Sequence, residues 1–357
     1  GNLQQIRQIE QVVTSVYAAL RQHLGTQELT TAAVQGMQTA DGRLRQARAI
    51  YLDLVRQGFT LDDVVEQRQA LEDEARYGMN PDFDPRDIVG DNYANPAERG
   101  YGNAEVEGPD ADHGTHVAGI VAAMRNGSGV DGVAPAVRIM TLRAVPDGDE
   151  RDKDVANAIR YAADNGARVI NMSFGKSHSP QKSVVDEAVR YAESKGVLLI
   201  HAAGNDGADL NEEGNFPNKE YASGGRAANW IEVGASSWHG ENLAADFSNY
   251  GRGKVDVFAP GVSILSTVTD ATFERNDGTS MAAPVVTGIA ATLLSYFPEL
   301  TAVQVRQIIL ESAVRNEAQV TRPGLTGGQV SFAELSDTGG VVNLYAAIQL
   351  AQQRVRR

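Results

Sequence analysis

The sequence predicts an α/β protein: a three-layer, doubly wound and mainly parallel sheet, preceded by an N-terminal helical segment. Three observations lead there. Apolar runs of strand length recur at Arg138 to Val145, Arg168 to Phe174, Val197 to Ala203, Trp230 to Ala235 and Val255 to Ala259. Helical patterns separate several of them, notably Asp154 to Asn165 and Lys182 to Lys195, and such alternation favours parallel strands joined by crossover helices. The later helices, Thr279 to Phe297, Thr301 to Ser312 and Asn343 to Gln352, follow the strands, and the first is apolar on all sides, as a buried helix should be.

Ahead of the strands the texture differs. From Leu3 to about Ala75 the chain is rich in Gln, with Leu3, Ile6, Val13, Val16, Tyr17 and Leu20 near one helical face. Leu44, Ala47, Ile50, Tyr51, Leu54 and Val55 repeat the pattern, and Thr60 followed by Asp63 has the form of a capping box opening a further helix. We expect two to four helices over 1–75, forming a helical insertion or appendage with no catalytic spacing, and a second domain over 76–357. Pro, Gly, Asn and Asp dominate Tyr77 to Asp112, which reads as loop with one short strand at Ile88-Val89.

Composition narrows the function. A formal net charge of -14 argues against a nucleic-acid partner, since phosphate binding needs clustered Lys and Arg. The absence of Cys excludes disulfides and thiolate metal sites. No uninterrupted apolar run has the length of a membrane span, and no basic-then-apolar signal layout opens the chain.

Three short segments have the residue types that acyl transfer needs: a nucleophile, a base and donors for an oxyanion. Asn276-Asp277-Gly278-Thr279-Ser280-Met281-Ala282-Ala283-Pro284 carries a Ser where a helix begins, although a Ser there is often only a cap. His113-Gly114-Thr115-His116-Val117-Ala118-Gly119 opens another helix. Its two His could suggest a metal pair, but no further ligand pair stands nearby, and His116 is expected to be a packed, hydrogen-bonded core residue. Ala202-Ala203-Gly204-Asn205-Asp206-Gly207 ends an apolar strand, where α/β proteins place their sites, though an Asn there also forms turns.

In this order and separation the three segments resemble the subtilisin-like serine protease family (subtilases). Gly132 to Pro135, Val169 to Gly175 and Phe258 to Ile264 extend the resemblance from about Ile88 to Ala351, most of the chain. It implies a subtilisin-type fold and a serine endopeptidase acting on polypeptide substrates, with His113 as general base, Ser280 as nucleophile and Asn205 as oxyanion donor. It further implies that Ser173, Phe174 and Gly175 pair with substrate, and that with Ala202, Ala203 and Gly204 they wall the pocket for the side chain before the cut bond. The small residues of that wall suggest an open pocket for a large apolar group. The resemblance implies no required cofactor or catalytic metal. Structural calcium is compatible with the acidic loop Asp206 to Asn215, and the implied location is secreted, periplasmic or cell-surface.

One family feature is missing. The orienting Asp, in Asp-Ser-Gly or Asp-Thr-Gly at a strand end before the His, is not visible upstream of His113. Asp337-Thr338-Gly339 leads into the family's closing segment, and Asp41, Asp53, Asp62, Asp63 and Asp73 lack a strand context. Asp82, Asp84 and Asp91 are poor substitutes because no adequate strand precedes them. We expect the Asp-bearing strand to lie before Gly1 in a longer parent. The gap should then be filled, distort the site, or pair with that segment or another chain at an exposed sheet edge. Lys176 and Val285 are smaller departures, standing where the family often has Gly and His. The competing expectation is a catalytically dead module that binds peptide without cleaving it.

Overall fold

The computed structural model describes residues 2–80, 82–84, 86–146, 150–238, 242–324 and 328–356. The chain divides into two compact units, Gly1–Gly90 and Asp91–Arg357.

The first unit is helical: α1 Asn2–Leu24, α2 Thr31–Gly36, α3 Gly42–Arg56, α4 Leu61–Asp73 and the short α5 Arg86–Val89. The periodic residues do what their spacing requires. Val13, Val16, Tyr17 and Leu20 of α1 bury against Val34, Met37, Ala47 and Tyr51. Arg68 pairs with Glu10 at 2.7 Å and Arg7 with Glu72 at 2.6 Å, tying α1 to α4. The capping box is formed, with Thr60 accepting from Asp63 N–H and Asp63 accepting from Thr60 N–H. One expectation fails: Ile88-Val89 is not a strand but part of α5. Asp84 accepts from Arg86 N–H at 2.8 Å and so starts a helical turn, and Ile88 is left exposed with no sheet to join.

The second unit is the α/β part. Its elements are α6 Asp112–Ala122, α7 Asp152–Asp164, β1 Val169–Met172, α8 Lys182–Ser194, β2 Leu198–Ala202, β3 Trp230–Ser236, β4 Val257–Pro260, β5 Ile264–Thr267, β6 Phe273–Asn276 and α9 Thr279–Tyr296. They continue as α10 Ala302–Glu311, β7 Val314–Arg315, β8 Gln319–Thr321, β9 Gln329–Ser331, β10 Gly340–Val341 and α11 Leu344–Val355. The main sheet runs β1-β2-β3-β4-β10-β7, parallel from β1 through β10 with β7 antiparallel. Every residue of β2 and β3 is buried, as strands covered on both faces require. Val155, Ile159, Val185 and Val189 of α7 and α8 cover one face, and α9, α10 and α11 cover the other. Helix α9 is long and apolar enough to pass for a membrane span, but most of it is packed inside this unit.

The expected strand over Arg138 to Val145 is not formed. A strand exists only through its ladder, and among the described residues nothing pairs with this stretch. Ile139, Met140 and Val145 stay exposed. β1 is therefore a sheet edge, half-buried over its first three residues while its neighbour β2 is fully buried.

Candidate active site

The parallel strands deliver two of the predicted segments side by side. Met172 of β1 stands opposite His201 of β2, so Ser173 to Gly175 and Ala202 to Asn205 leave adjacent strand ends together. α9 begins between them. Gly278, before its first turn, has φ 150, a left-handed value that a side chain would resist. Ser280 is the second residue of α9, half-buried, and its N–H belongs to the first turn, where no intrahelical acceptor exists.

Asn205 is locked to this turn. Its Oδ1 accepts from both the N–H and the hydroxyl of Thr279, each at 2.9 Å. An amide whose oxygen is committed to a backbone N–H presents its NH₂ the other way. Nδ2 is therefore left to donate, and a Cβ on Gly278 would lie 3.6 Å from it and 3.5 Å from Ser280 N. Thr279 Oγ1 also accepts from Gly204 N–H at 3.1 Å, closing a small ring of bonds. A second set fixes Ser280: Thr287 donates to Asn171, Asn171 to Ser173 Oγ, and Ser173 Oγ to Ser280 O, each at 2.9 Å. The Ser280 hydroxyl itself donates to Ser173 O at 3.3 Å.

His113 sits at the start of α6, which packs beside α9. Asp112 Oδ1 accepts from Thr269 N–H at 2.9 Å and from the Thr269 hydroxyl, holding the helix start and keeping that carboxyl below its ordinary range. His116 is fully buried, with Nε2 shared between Ile264 O and Glu274 O at 3.1 Å, so it is the packed core residue its position suggested. The His113 ring keeps a solvent-facing side, yet surrounding protein lowers its pKa below 6.5, helped by His116 and opposed by Asp110. Among the described residues His113 makes no hydrogen bond to Ser280 or to a carboxylate.

Among the described residues none of the candidate Asp side chains is hydrogen-bonded to His113. Asp91 forms a fully buried ion pair with Lys153, which also holds Glu98 at 2.8 Å. Asp41 and Asp63 are helix caps, and Asp337 accepts from Gly253 N–H at 2.6 Å. Asp110, which the sequence reading passed over, acts on His113 only through its field, and its place three residues before the His was the available signal.

The predicted pocket walls meet, with a residue the sequence reading missed between them. Asn215 Nδ2 donates to Ala202 O at 3.2 Å and Ala203 O at 2.9 Å. A Cβ on Gly175 would lie 2.4 Å from Asn215 Oδ1, and one on Gly204 3.3 Å from its Nδ2. A carboxamide therefore stands between Gly175 and Gly204, where the small residues alone suggested open apolar space. Phe174 turns its ring into the α7–α8 core. Lys176 swings back to Asp152 at 2.9 Å, away from the rim, and Val285 packs on the core. Among the described residues no group of three or more His, Asp and Glu could hold a metal ion.

A parallel α/β sheet with Ser, Asn and His at helix and strand ends of this kind defines a serine-hydrolase architecture. Comparison with known proteins makes it specific: the Subtilase family model matches residues 60–333, and the chain belongs to that family. It is 42% identical over 205 residues to a thermophilic serine proteinase of Bacillus sp. (strain AK1), covering 57% of this chain and 47% of the relative. It is 39% identical over 202 residues to subtilisin BL of Lederbergia lenta, covering 56% of this chain and 70% of that one. The match thus spans about half the length of the first of these relatives. Among solved structures it resembles the prenylagaramide maturation protease PagA, with TM-score 0.54, 29% identity and 67% and 82% of the two chains covered. A protease from Pseudoalteromonas arctica aligns with TM-score 0.54 and 29% identity over 72% and 74%.

Proposed function

We propose that the chain is the greater part of a serine endopeptidase. Ser280 Oγ attacks the scissile carbonyl while His113 takes its proton, and the oxyanion is received by Asn205 Nδ2 and the Ser280 N–H. His113 then protonates the leaving amine, and water hydrolyses the acyl-enzyme by the reverse sequence. The observation that carries this reading is the Asn205 carboxamide, whose Oδ1 is held by the Thr279 N–H and hydroxyl so that its NH₂ is left to donate. A lowered His113 pKa suits the base role, since the ring is neutral at pH 7.

The carboxylate that orients His113 is assigned to a strand lying outside residues 1–357 and docking parallel on the outer edge of β1. Three features support this. β1 is a half-buried edge beside the fully buried β2, the 138–146 stretch joins no ladder among the described residues and leaves Ile139 and Met140 exposed, and Asp91 and Asp112 are already committed. A parallel strand there ends on the same side of the sheet as Ser173 and Asn205. In this reading residues 1–75 are an insertion between that strand and His113, and an extracytoplasmic location rests on the family resemblance.

The second reading, a peptide-binding module without catalysis, is favoured by one observation: the Ser280 hydroxyl points to Ser173 O instead of His113. Fluorophosphonate labelling with peptide mapping separates the two. Modification at Ser280, lost in His113→Ala, supports the peptidase. A folded chain carrying the added strand that stays unlabelled supports the binding module.

A further inference from the structure

Beneath the substrate-facing stretch lies a buried polar group that the proposed catalytic steps do not use. His201 is fully buried in β2, where the apolar run around it would predict another aliphatic residue. It stands opposite Glu232 of β3 in the parallel register, and its Nδ1 meets Glu232 Oε1 at 2.7 Å. Its Nε2 meets Phe174 O at 2.8 Å. Glu232 is fixed in turn, with Oε2 accepting from Trp230 Nε1 at 2.7 Å and its N–H donating to Asp256 Oδ2 at 2.7 Å. Asp256 is held by Lys219 at 3.0 Å and Arg306 at 2.8 Å.

Both ring nitrogens of His201 face oxygens. A carbonyl can only accept, so Nε2 carries a proton, and the 2.7 Å contact at Nδ1 needs a second proton shared with Glu232. We propose that His201, with Glu232, is a positioning residue that clamps the Phe174 carbonyl inward and thereby aims the Gly175 N–H at the substrate backbone. The geometry follows from the peptide plane, because in a trans peptide the carbonyl and the following N–H point opposite ways. Gly175 is exposed, and among the described residues its N–H has no acceptor. Ser173, one residue earlier, is tied to Ser280, so the stretch is clamped to the nucleophile on one side and to His201 on the other. The charged groups around the pair are Asp256, Lys219 and Arg306 behind Glu232, with Lys182, Glu220 and Lys254 lining the cleft that Glu232 borders.

This inference rests on the peptidase reading, and the test separates the two. Phosphonylation of Ser280 in the full chain is timed with two probes, a small alkyl fluorophosphonate and a tri-alanyl diphenyl phosphonate whose backbone reaches residues 173–175. The ratio of the peptidyl to the small-probe rate should fall about tenfold in His201→Phe, the loss of one well-placed backbone hydrogen bond to substrate. In Glu232→Gln the amide donates to Nδ1 and still accepts from Trp230, so the ratio should stay within about threefold of wild type. An unchanged ratio in His201→Phe, or an equal fall in both variants, overturns the clamp. If His201→Phe does not fold, the wild-type His201 Nε2–H resonance in a histidine-labelled sample decides. It should shift on reaction with the peptidyl probe and not with the small one, and equal behaviour overturns the clamp. Failure of wild type joined to the Asp-bearing strand to react with either probe overturns the peptidase reading, and the clamp with it.

Discussion

The two sides of the proposed site are held in different ways. Around Asn205, Thr279, Ser280 and Ser173 the Asn205, Thr279 and Ser173 side-chain oxygens are held by partners within the same unit, through bonds of about the ordinary length, which leaves Asn205 Nδ2 and the Ser280 N–H to donate. Around His113 the helix is anchored by Asp112 and His116, but the imidazole has no hydrogen bond to nucleophile or carboxylate among the described residues, and the β1 edge of the sheet is unpaired. On the proposed reading, the difference means that oxyanion binding is encoded locally, whereas the base depends on a strand that must be supplied. Binding of the transition state and activation of the nucleophile can therefore be lost separately.

The sharpest break is Ser280→Ala. With the acceptor strand supplied, peptide hydrolysis should fall by about 10⁶, the scale seen when subtilisin loses its nucleophile, while circular dichroism stays unchanged. Asn205 tests the self-contained side. Asn205→Ala and Asn205→Asp both remove the NH₂ donor and should each lower kcat by roughly 10²–10³, as in subtilisin, with little change in KM. Only the Ala variant also strands the Thr279 N–H, so it alone should lose about 1 kcal/mol of stability in urea unfolding.

Smaller effects sharpen the picture at the rims. Asn215→Gly removes the carboxamide between Gly175 and Gly204, and should raise kcat/KM for large apolar side chains before the cut bond by about tenfold over Ala, read from a peptide series. The smallest effect concerns pH. Burial holds the neutral form of His113, so the acid limb of Ser280 labelling in the chain alone should lie below pH 6.5. A carboxylate brought to the ring stabilises its cation and should move that limb upward, which paired pH profiles with and without the added strand would reveal.

Much of this was legible in the sequence for a definite reason. Asn205 and Ser280 lie in short contiguous runs at strand and helix ends, where local residue types set both backbone and chemistry. The helices and β1 to β4 were readable because burial on one or both faces writes a period into the chain. Arg138 to Val145 was misread because its composition is that of a strand, but strand structure depends on a neighbour elsewhere in the sequence. Ile88-Val89 was misread because two apolar residues carry no period, and the cap at Asp84 decides the outcome. Asn215 and the His201–Glu232 pair were invisible because their meaning lies in contacts across loops and strands. A lone His or Glu inside an apolar run says nothing about what it will face.

The most direct test of the central claim compares two chains that differ by one atom group. The chain is joined through its N-terminus to a strand ending in Asp-Thr-Gly, and to the same strand ending in Asn-Thr-Gly, and the rate of Ser280 labelling is measured at pH 7. A carboxylate that docks at the β1 edge and orients His113 should make the Asp form faster by about 10⁴. Equal rates, with both forms folded, would contradict the account.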